Sequence, residues 1–139
     1  MEQFALDTSF LIDLQRAATG RAQTGAGFGA LKFLRSHQGA NLFLPSVARG
    51  EYLEGFANPE SPEALALLLP LEDLPVTADV ARVYAQVSKR LRVAGRLIGA
   101  NDAWIGCTAL ATSMPLVTSN AGHFSRITDL VVIDYSKLA

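Results

Sequence analysis

Cysteine is nearly missing from this sequence: Cys107 is the only one in 139 residues. A lone thiol excludes an internal disulfide and any zinc site assembled from several cysteines. With no basic neighbour in sequence to lower its pKa, Cys107 reads as a small core residue. Charge of one sign is equally scarce. Twelve Lys and Arg stand against 13 Asp and Glu, for a formal net charge of -1 and a pI near 6.1. That balance excludes a large basic surface as the main grip on nucleic acid and leaves only local clusters. No apolar run approaches the roughly 20 residues that cross a bilayer, and no positively charged leader precedes an apolar stretch. A membrane partner is therefore not expected, and the expected location is cytoplasmic. Glycine is concentrated in one place, Gly20, Gly25, Gly27 and Gly29. Their spacing does not match G-x-G-x-x-G and no apolar strand leads into them, so residues 19–29 read as a mobile loop and not as a nucleotide cradle.

What is there is apolar and alternating. Half of the residues are hydrophobic, enough for one domain over 1–139 to bury a core without staples. Phe4-Ala5-Leu6 reads as a strand that feeds, through Asp7-Thr8-Ser9, a helix carrying Phe10, Leu11, Ile12 and Leu14. A helix over 28–36, a strand over 41–44 and a helix from Ser46 follow, with His37 as a solvated or capping side chain at the second helix's end. Pro62-Glu63 opens a helix to Leu69, and a short strand lies within Leu71 to Val76. Thr77 is the expected N-cap of a long helix with Val80, Tyr84, Val87 and Leu91 on one stripe, ended by Gly95. Asn101 to Leu110 is a mostly buried helix and Leu116-Val117-Thr118 a strand; Gly122-His123-Phe124 makes a short turn or helix, and Leu130 to Ile133 is a last strand closed by Asp134. Strands alternating with helices predict an α/β three-layer sandwich whose mostly parallel central sheet is flanked by helices.

Four polar residues stand out within this frame. Asp7, Asp102 and Asn120 are assigned to positions at or just beyond predicted strand ends, and Glu51 to a helix about two turns beyond one. In an open parallel sheet the carboxyl ends of the strands share one edge, where such folds bind ligands. Asp102 also fits a first-turn acid that suits the helix dipole; Glu51 and Glu54, three apart on one face, could both reach one site, and they also fit surface acids. Glu51, next to Tyr52 and Leu53 and followed by Gly55, suits a partly buried position better than Glu54 does. Three carboxylates and an amide oxygen in a tight cleft cannot all stay ionised unless a cation offsets their repulsion. An all-oxygen donor set favours Mg2+, with Mn2+ possible, over zinc. Such an ion can polarise a phosphoryl oxygen and lower the pKa of bound water, so phosphodiester hydrolysis needs no side-chain nucleophile. Thr118 and Ser119 would orient the carboxylates or bound water. Lys89, Arg90, Arg92 and Arg96 form the one dense basic cluster. Cations at a helix C-terminus suit its dipole; the alternative is a rim beside Asp102 that contacts RNA phosphates.

These residues resemble PIN-domain proteins, specifically the VapC-type toxins of toxin–antitoxin pairs. Leu6-Asp7-Thr8-Ser9 with Leu11-Ile12 resembles the family's opening strand, and Ser46 with Glu51 to Gly55 its acid-bearing helix. Gly99 to Leu110 resembles its Gly-x-x-Asp-x-x-Ile segment, and Leu116 to Phe124 its Leu-Val-Thr-x-Asn/Asp strand end. Four motifs in order cover nearly the whole chain. The resemblance implies a Mg2+-dependent endoribonuclease acting on structured RNA, tRNA or rRNA, silenced by a small VapB-like antitoxin and working as a homodimer. Carried over by position, Asp7, Glu51 and Asp102 are the metal-binding acids, with Asn120 in a fourth place that often holds Asp. His123 stands where many relatives have another acid, which favours one ion over two. A PIN-fold protein that binds RNA or a partner without catalysis is the alternative. A receiver domain would need adjacent acids where Asp7 stands alone, and a haloacid-dehalogenase-type phosphatase would need Asp where Ser9 stands.

Overall fold

The computed structural model describes residues 2–20 and 25–138. Part of the glycine-rich stretch expected as a loop, residues 21–24, lies outside the described residues; the rest departs from the expectation, because Ala26–Ser36 is already helix. In chain order the elements are β1 Gln3–Leu6, α1 Thr8–Ala18, α2 Ala26–Ser36, β2 Asn41–Pro45, α3 Ser46–Glu54, α4 Pro62–Ala66, β3 Glu72–Leu74, α5 Ala78–Val93, α6 Ala100–Ala111, β4 Leu116–Thr118, α7 Ala121–Phe124, β5 Val132–Asp134 and a 3-10 turn at Tyr135–Leu138.

The five strands form one parallel sheet in the order β3-β2-β1-β4-β5, flanked by helices as an α/β sandwich. Chain order runs outward from β1 on one side to β3, then crosses back through α5 and α6 to β4 on β1's other side. The strand order thus reverses between β1 and β4, and that divergence opens a crevice at their carboxyl ends. Register places the crevice residues: Leu6 pairs with Val117, and the Asp7 N–H donates to the Val117 carbonyl at 3.0 Å. Asp7 therefore emerges beside Thr118. The central strands are short continuous apolar runs, Phe4 to Leu6 and Leu116 to Val117, all buried, as a sheet covered on both faces requires.

Aromatic side chains order the packing of α1 and α2. Phe33 meets Phe4 and Phe10 edge-on at 5.1 and 5.7 Å, and Phe10 meets Tyr135 edge-on at 5.0 Å. His37 does cap its helix, with Nδ1 2.8 Å from the Phe33 carbonyl, and its ring also stacks on Phe33 at 4.1 Å. Tyr84 of α5 stacks on Trp104 of α6 with ring centroids 3.8 Å apart. Cys107 is fully buried, and burial pushes its thiol up to about 11, which suits the inert core role expected of it.

Helix ends follow local chemistry. The Thr77 hydroxyl accepts from the Val80 N–H at 3.2 Å, and Gly95, at φ +66°, closes α5 with its N–H on the Arg92 carbonyl and the Arg96 N–H on the Leu91 carbonyl. Thr77→Ala should lower the unfolding free energy by about 1 kcal/mol in urea titration; an unchanged midpoint would show that the cap is not limiting. Three expectations need correction. Asp102 has no strand before it: α6 follows α5 through residues 94–99, and Asp102 reaches the crevice from the helix's first turn. The helix from Pro62 stops at Ala66, leaving Leu69 in a turn and 82% exposed. The last strand starts at Val132 and includes Asp134, whose Oδ1 accepts from the Ser136 N–H at 3.0 Å and starts the 3-10 turn. Among the described residues no helix is long and apolar enough to cross a membrane.

Candidate functional site

Asp7 holds the N-cap position of α1, yet its side chain makes no capping hydrogen bond. Its carboxylate is drawn across the sheet edge instead: Oδ2 accepts from the Thr118 hydroxyl at 2.7 Å and from the Ser9 hydroxyl at 2.9 Å. Only 3% of the residue is exposed. Burial raises its pKa, the hydroxyls of Thr118 and Ser9 pull it back down, and the charge of Asp102 raises it again. Thr118 is itself fixed, because its Oγ1 also accepts from the Asn120 N–H at 2.9 Å. Ser9 is fixed in the same way by the Ser119 N–H at 3.2 Å.

Glu51 arrives from α3, half-buried, with Oε1 accepting from the Thr8 hydroxyl at 2.6 Å and Oε2 from the Asn101 amide at 3.1 Å. Asp102 stands near His123, whose Nδ1 lies 3.6 Å from Oδ2. Burial raises the Asp102 pKa, the hydrogen bond with His123 lowers it, and the charge of Glu51 raises it. Asp7, Glu51, Asp102 and Asn120 line one cavity of about 330 Å³ together with Thr8, Ser9, Ile12 and the exposed Glu54. The lining includes four carboxylates and no Lys, Arg or His.

Among the described residues no three Asp, Glu, His or Cys side chains form a ready-made metal cage. Asp7 and Glu51 accept from neutral donors, and Asp102 stands beside His123. The chemistry of the cavity nevertheless fits a hard divalent cation: its donors are oxygens, and two of its acids are pushed upward partly by the charge of a neighbouring acid.

Three further positions contribute here that in sequence look like no more than helix starts or surface groups, Thr8, Ser9 and Asn101, and Glu54, on the same helix face as Glu51, reaches the cavity as well. Two hydroxyls directly after a strand-end Asp are the available signal for the first pair. Tyr135 and Asp13 have none. The buried Tyr135 hydroxyl donates to Asp13 Oδ2, and it also lies in hydrogen-bonding reach of Ser9 and Ser119, beneath the Asp7 cluster. The basic cluster is placed elsewhere. None of Lys89, Arg90, Arg92 and Arg96 lines the acidic cavity itself; Arg90 and Arg96 line a second cavity with Arg126.

Known proteins resemble this chain in sequence and fold. Ribonuclease VapC1 of Haemophilus influenzae strain R2866 is 44% identical over 54 residues, a match that covers 39% of this chain and 40% of that protein. Ribonuclease VapC1 of Methanocaldococcus jannaschii is 26% identical over 88 residues, 63% of this chain and 65% of that one. The chain therefore spans less than two thirds of the length of either relative. Among solved structures, VapBC-1 from nontypeable Haemophilus influenzae superposes with a TM-score of 0.77 at 29% identity, covering 96% of this chain and 98% of the other. The sequence model of the PIN domain matches residues 4–130, from the first residue of the buried β1 run to the end of the segment after α7. By that near-complete match and by the parallel sheet with its acid-lined switch point, this chain belongs to the PIN domain family.

Proposed function

We propose that this chain is a Mg2+-dependent endoribonuclease of the VapC type, the toxin of a toxin–antitoxin pair, with Mn2+ as an alternative ion. The observation that carries the reading is the convergence of Asp7, Glu51 and Asp102 on one cavity with no basic side chain in its wall. When bound, the ion supplies Lewis acidity to the scissile phosphodiester and makes the attacking water more acidic. The protein's part is orientation. Thr118 and Ser9 donate to Asp7 and favour its ionised form against burial; Thr8 and Asn101 fix both oxygens of Glu51; the His123 ring stands beside Asp102, its Nδ1 3.6 Å from Oδ2. Asn120 brings an amide oxygen without a charge, which suits one ion better than two.

Structured RNA, tRNA or rRNA, is the substrate class that follows from the family resemblance. A VapB-like antitoxin is supported by the structural likeness to VapBC-1, and a cytoplasmic homodimer by the VapC resemblance. The purified chain should cut such RNA in Mg2+, stop in excess EDTA, and resume when Mg2+ or Mn2+ is restored. Undiminished cleavage in EDTA would remove the metal from the reading; no cleavage of tRNA or rRNA by antitoxin-free protein in Mg2+ would favour a PIN fold that binds without cutting.

A further inference from the structure

Three arginines from two separate segments meet at one place on this nearly neutral chain. Arg90 in the last turn of α5, Arg96 just beyond it and Arg126 after α7 line a cavity of about 430 Å³ with the hydroxyl-bearing Ser125 and Thr128. No Asp or Glu lines it. The ion pairs among the described residues are Arg49–Asp73, Arg82–Asp79 and His123–Asp102, so among those residues no carboxylate neutralises any of the three guanidiniums.

Attraction to the negative end of a helix explains Arg90 and Arg92 and stops there. Arg96 lies past the left-handed turn at Gly95, and Arg126 comes from another part of the chain, where its Nη1 donates to the Leu97 carbonyl at 3.0 Å. That bond uses one of the five N–H donors of a guanidinium and anchors the group at the cavity wall. Cations gathered from different elements, with two hydroxyl-bearing residues in the same wall and no carboxylate in it, make a receptor for a tetrahedral oxyanion.

We propose that this cavity is a phosphate-binding pocket that grips a non-reacting phosphodiester of the RNA, a short way along the strand from the acidic cavity. The RNA assignment rests on the ribonuclease reading above. One short segment links the two cavities: Asn120 lines the acidic one and Arg126 this one, the Arg126 N–H donates to the His123 carbonyl at 3.2 Å, and the His123 Nδ1 stands 3.6 Å from Asp102. An acidic cleft repels the phosphates that it must receive, and a cationic grip beside it offsets that repulsion. The pocket has no aromatic wall on which a base could stack, so the grip is independent of base sequence.

Two measurements test this. In the first, inorganic phosphate is titrated into the full chain at constant ionic strength, with chloride as the balancing anion, while the Nε–Hε signals of Arg90, Arg96 and Arg126 and the amides of Ser125 and Thr128 are followed by NMR. Saturating shifts at these groups that disappear in an Arg90→Ala/Arg96→Ala variant support the pocket; an equal response to chloride alone overturns it. In the second, affinity for short single-stranded RNA is measured by fluorescence anisotropy across a salt series, with Asp7→Asn in every arm so that nothing is cut. The double Ala variant should bind about tenfold more weakly, equally for oligo-U and oligo-A, and the slope of log affinity on log salt should fall by about 0.7 for each phosphate that is no longer neutralised. Unchanged affinity and slope overturn the RNA assignment even if inorganic phosphate binds. Light scattering on the same samples exposes a different role: loss of a dimer in the double variant, with affinity unchanged, assigns the arginines to a protein interface and overturns the proposal. If Asp7-intact protein cuts no RNA while both measurements come out as expected, the ribonuclease reading fails and the pocket stands.

Discussion

Replacing Asp7 with Asn is expected to lower RNA cleavage by at least about 100-fold and, at the same time, to raise thermal stability in metal-free buffer at neutral pH. The size of the catalytic loss follows from what even an indirect contact to a metal ligand is worth, about 10- to 100-fold; removing a charged ligand should exceed that. The stability gain follows from the sign of the Asp7 shift. Burial and Asp102 raise its pKa in the fold more than Thr118 and Ser9 lower it, so the folded protein holds the proton more tightly than the unfolded chain, whose value is near 3.8. Stability from this group is therefore greatest at low pH and declines as pH rises from the unfolded value through the folded one. Asn can still accept from both hydroxyls through its amide oxygen, and it carries no charge to bury.

The Tm advantage of the variant should thus be largest near pH 7 and shrink toward pH 4 in EDTA. Adding Mg2+ should reverse the order, because only the wild type gains binding free energy, about 2.7 kcal/mol at a concentration 100 times the Kd. Melting curves across pH, with and without Mg2+, check each limb. Wild-type cleavage by the purified variant would remove Asp7 from the chemistry, and a Tm difference that does not vary with pH would show that its charge is not the source.

Gly29→Ala is expected to be strongly destabilising, because the added methyl group meets backbone. A Cβ there would lie 2.1 Å from the Tyr135 carbonyl oxygen and 3.2 Å from the Ser136 Cα, both backbone atoms that no rotamer change can clear. Either α2 or the C-terminal 3-10 turn must move, at a cost of about 3 kcal/mol or more, or on the order of 10 °C in Tm. Gly106→Ala makes a useful contrast. Its Cβ would meet Ile127 Cδ1 at 2.5 Å, the tip of a flexible side chain, and Phe124 Cδ1 at 3.2 Å. Strain of about 1–2 kcal/mol is there partly offset by the roughly 0.5–1 kcal/mol that Ala gains over Gly inside a helix. The Gly29 change should also reduce cleavage well below its Tm, since displacing Tyr135 releases Asp13 and disturbs Ser9 and Ser119 under Asp7. Equal Tm losses at Gly29 and Gly106 would contradict the backbone clash.

Gly29 also marks where sequence reading failed. A glycine-rich run looks like a loop because glycine weakens helices, but here the missing side chain lets α2 approach the C-terminal turn, and packing outweighs propensity. Asp102 shows a different limit. Its type and its place near a helix start were legible, while the expectation that it followed a strand was not met, since the long crossover from β3 to β4 is helical throughout its length where it is regular. Cap signals did better: Thr77 and Gly95 sit where the turn chemistry of their neighbours puts them.

By itself the sequence determined the alternation of strands and helices, most of their ends, and the acids available for a metal, because apolar period and cap chemistry act over a few neighbouring residues. The tertiary structure alone decided which donors hold each acid: Thr118 on Asp7 across 111 positions, Thr8 on Glu51 across 43, and Asn101 on Glu51 across 50. It also decided that Arg90 and Arg96 share a cavity with Arg126 and not with the acids. The reason is that strand order and register set such distances, and those come from packing whole elements against one another, which no local pattern encodes.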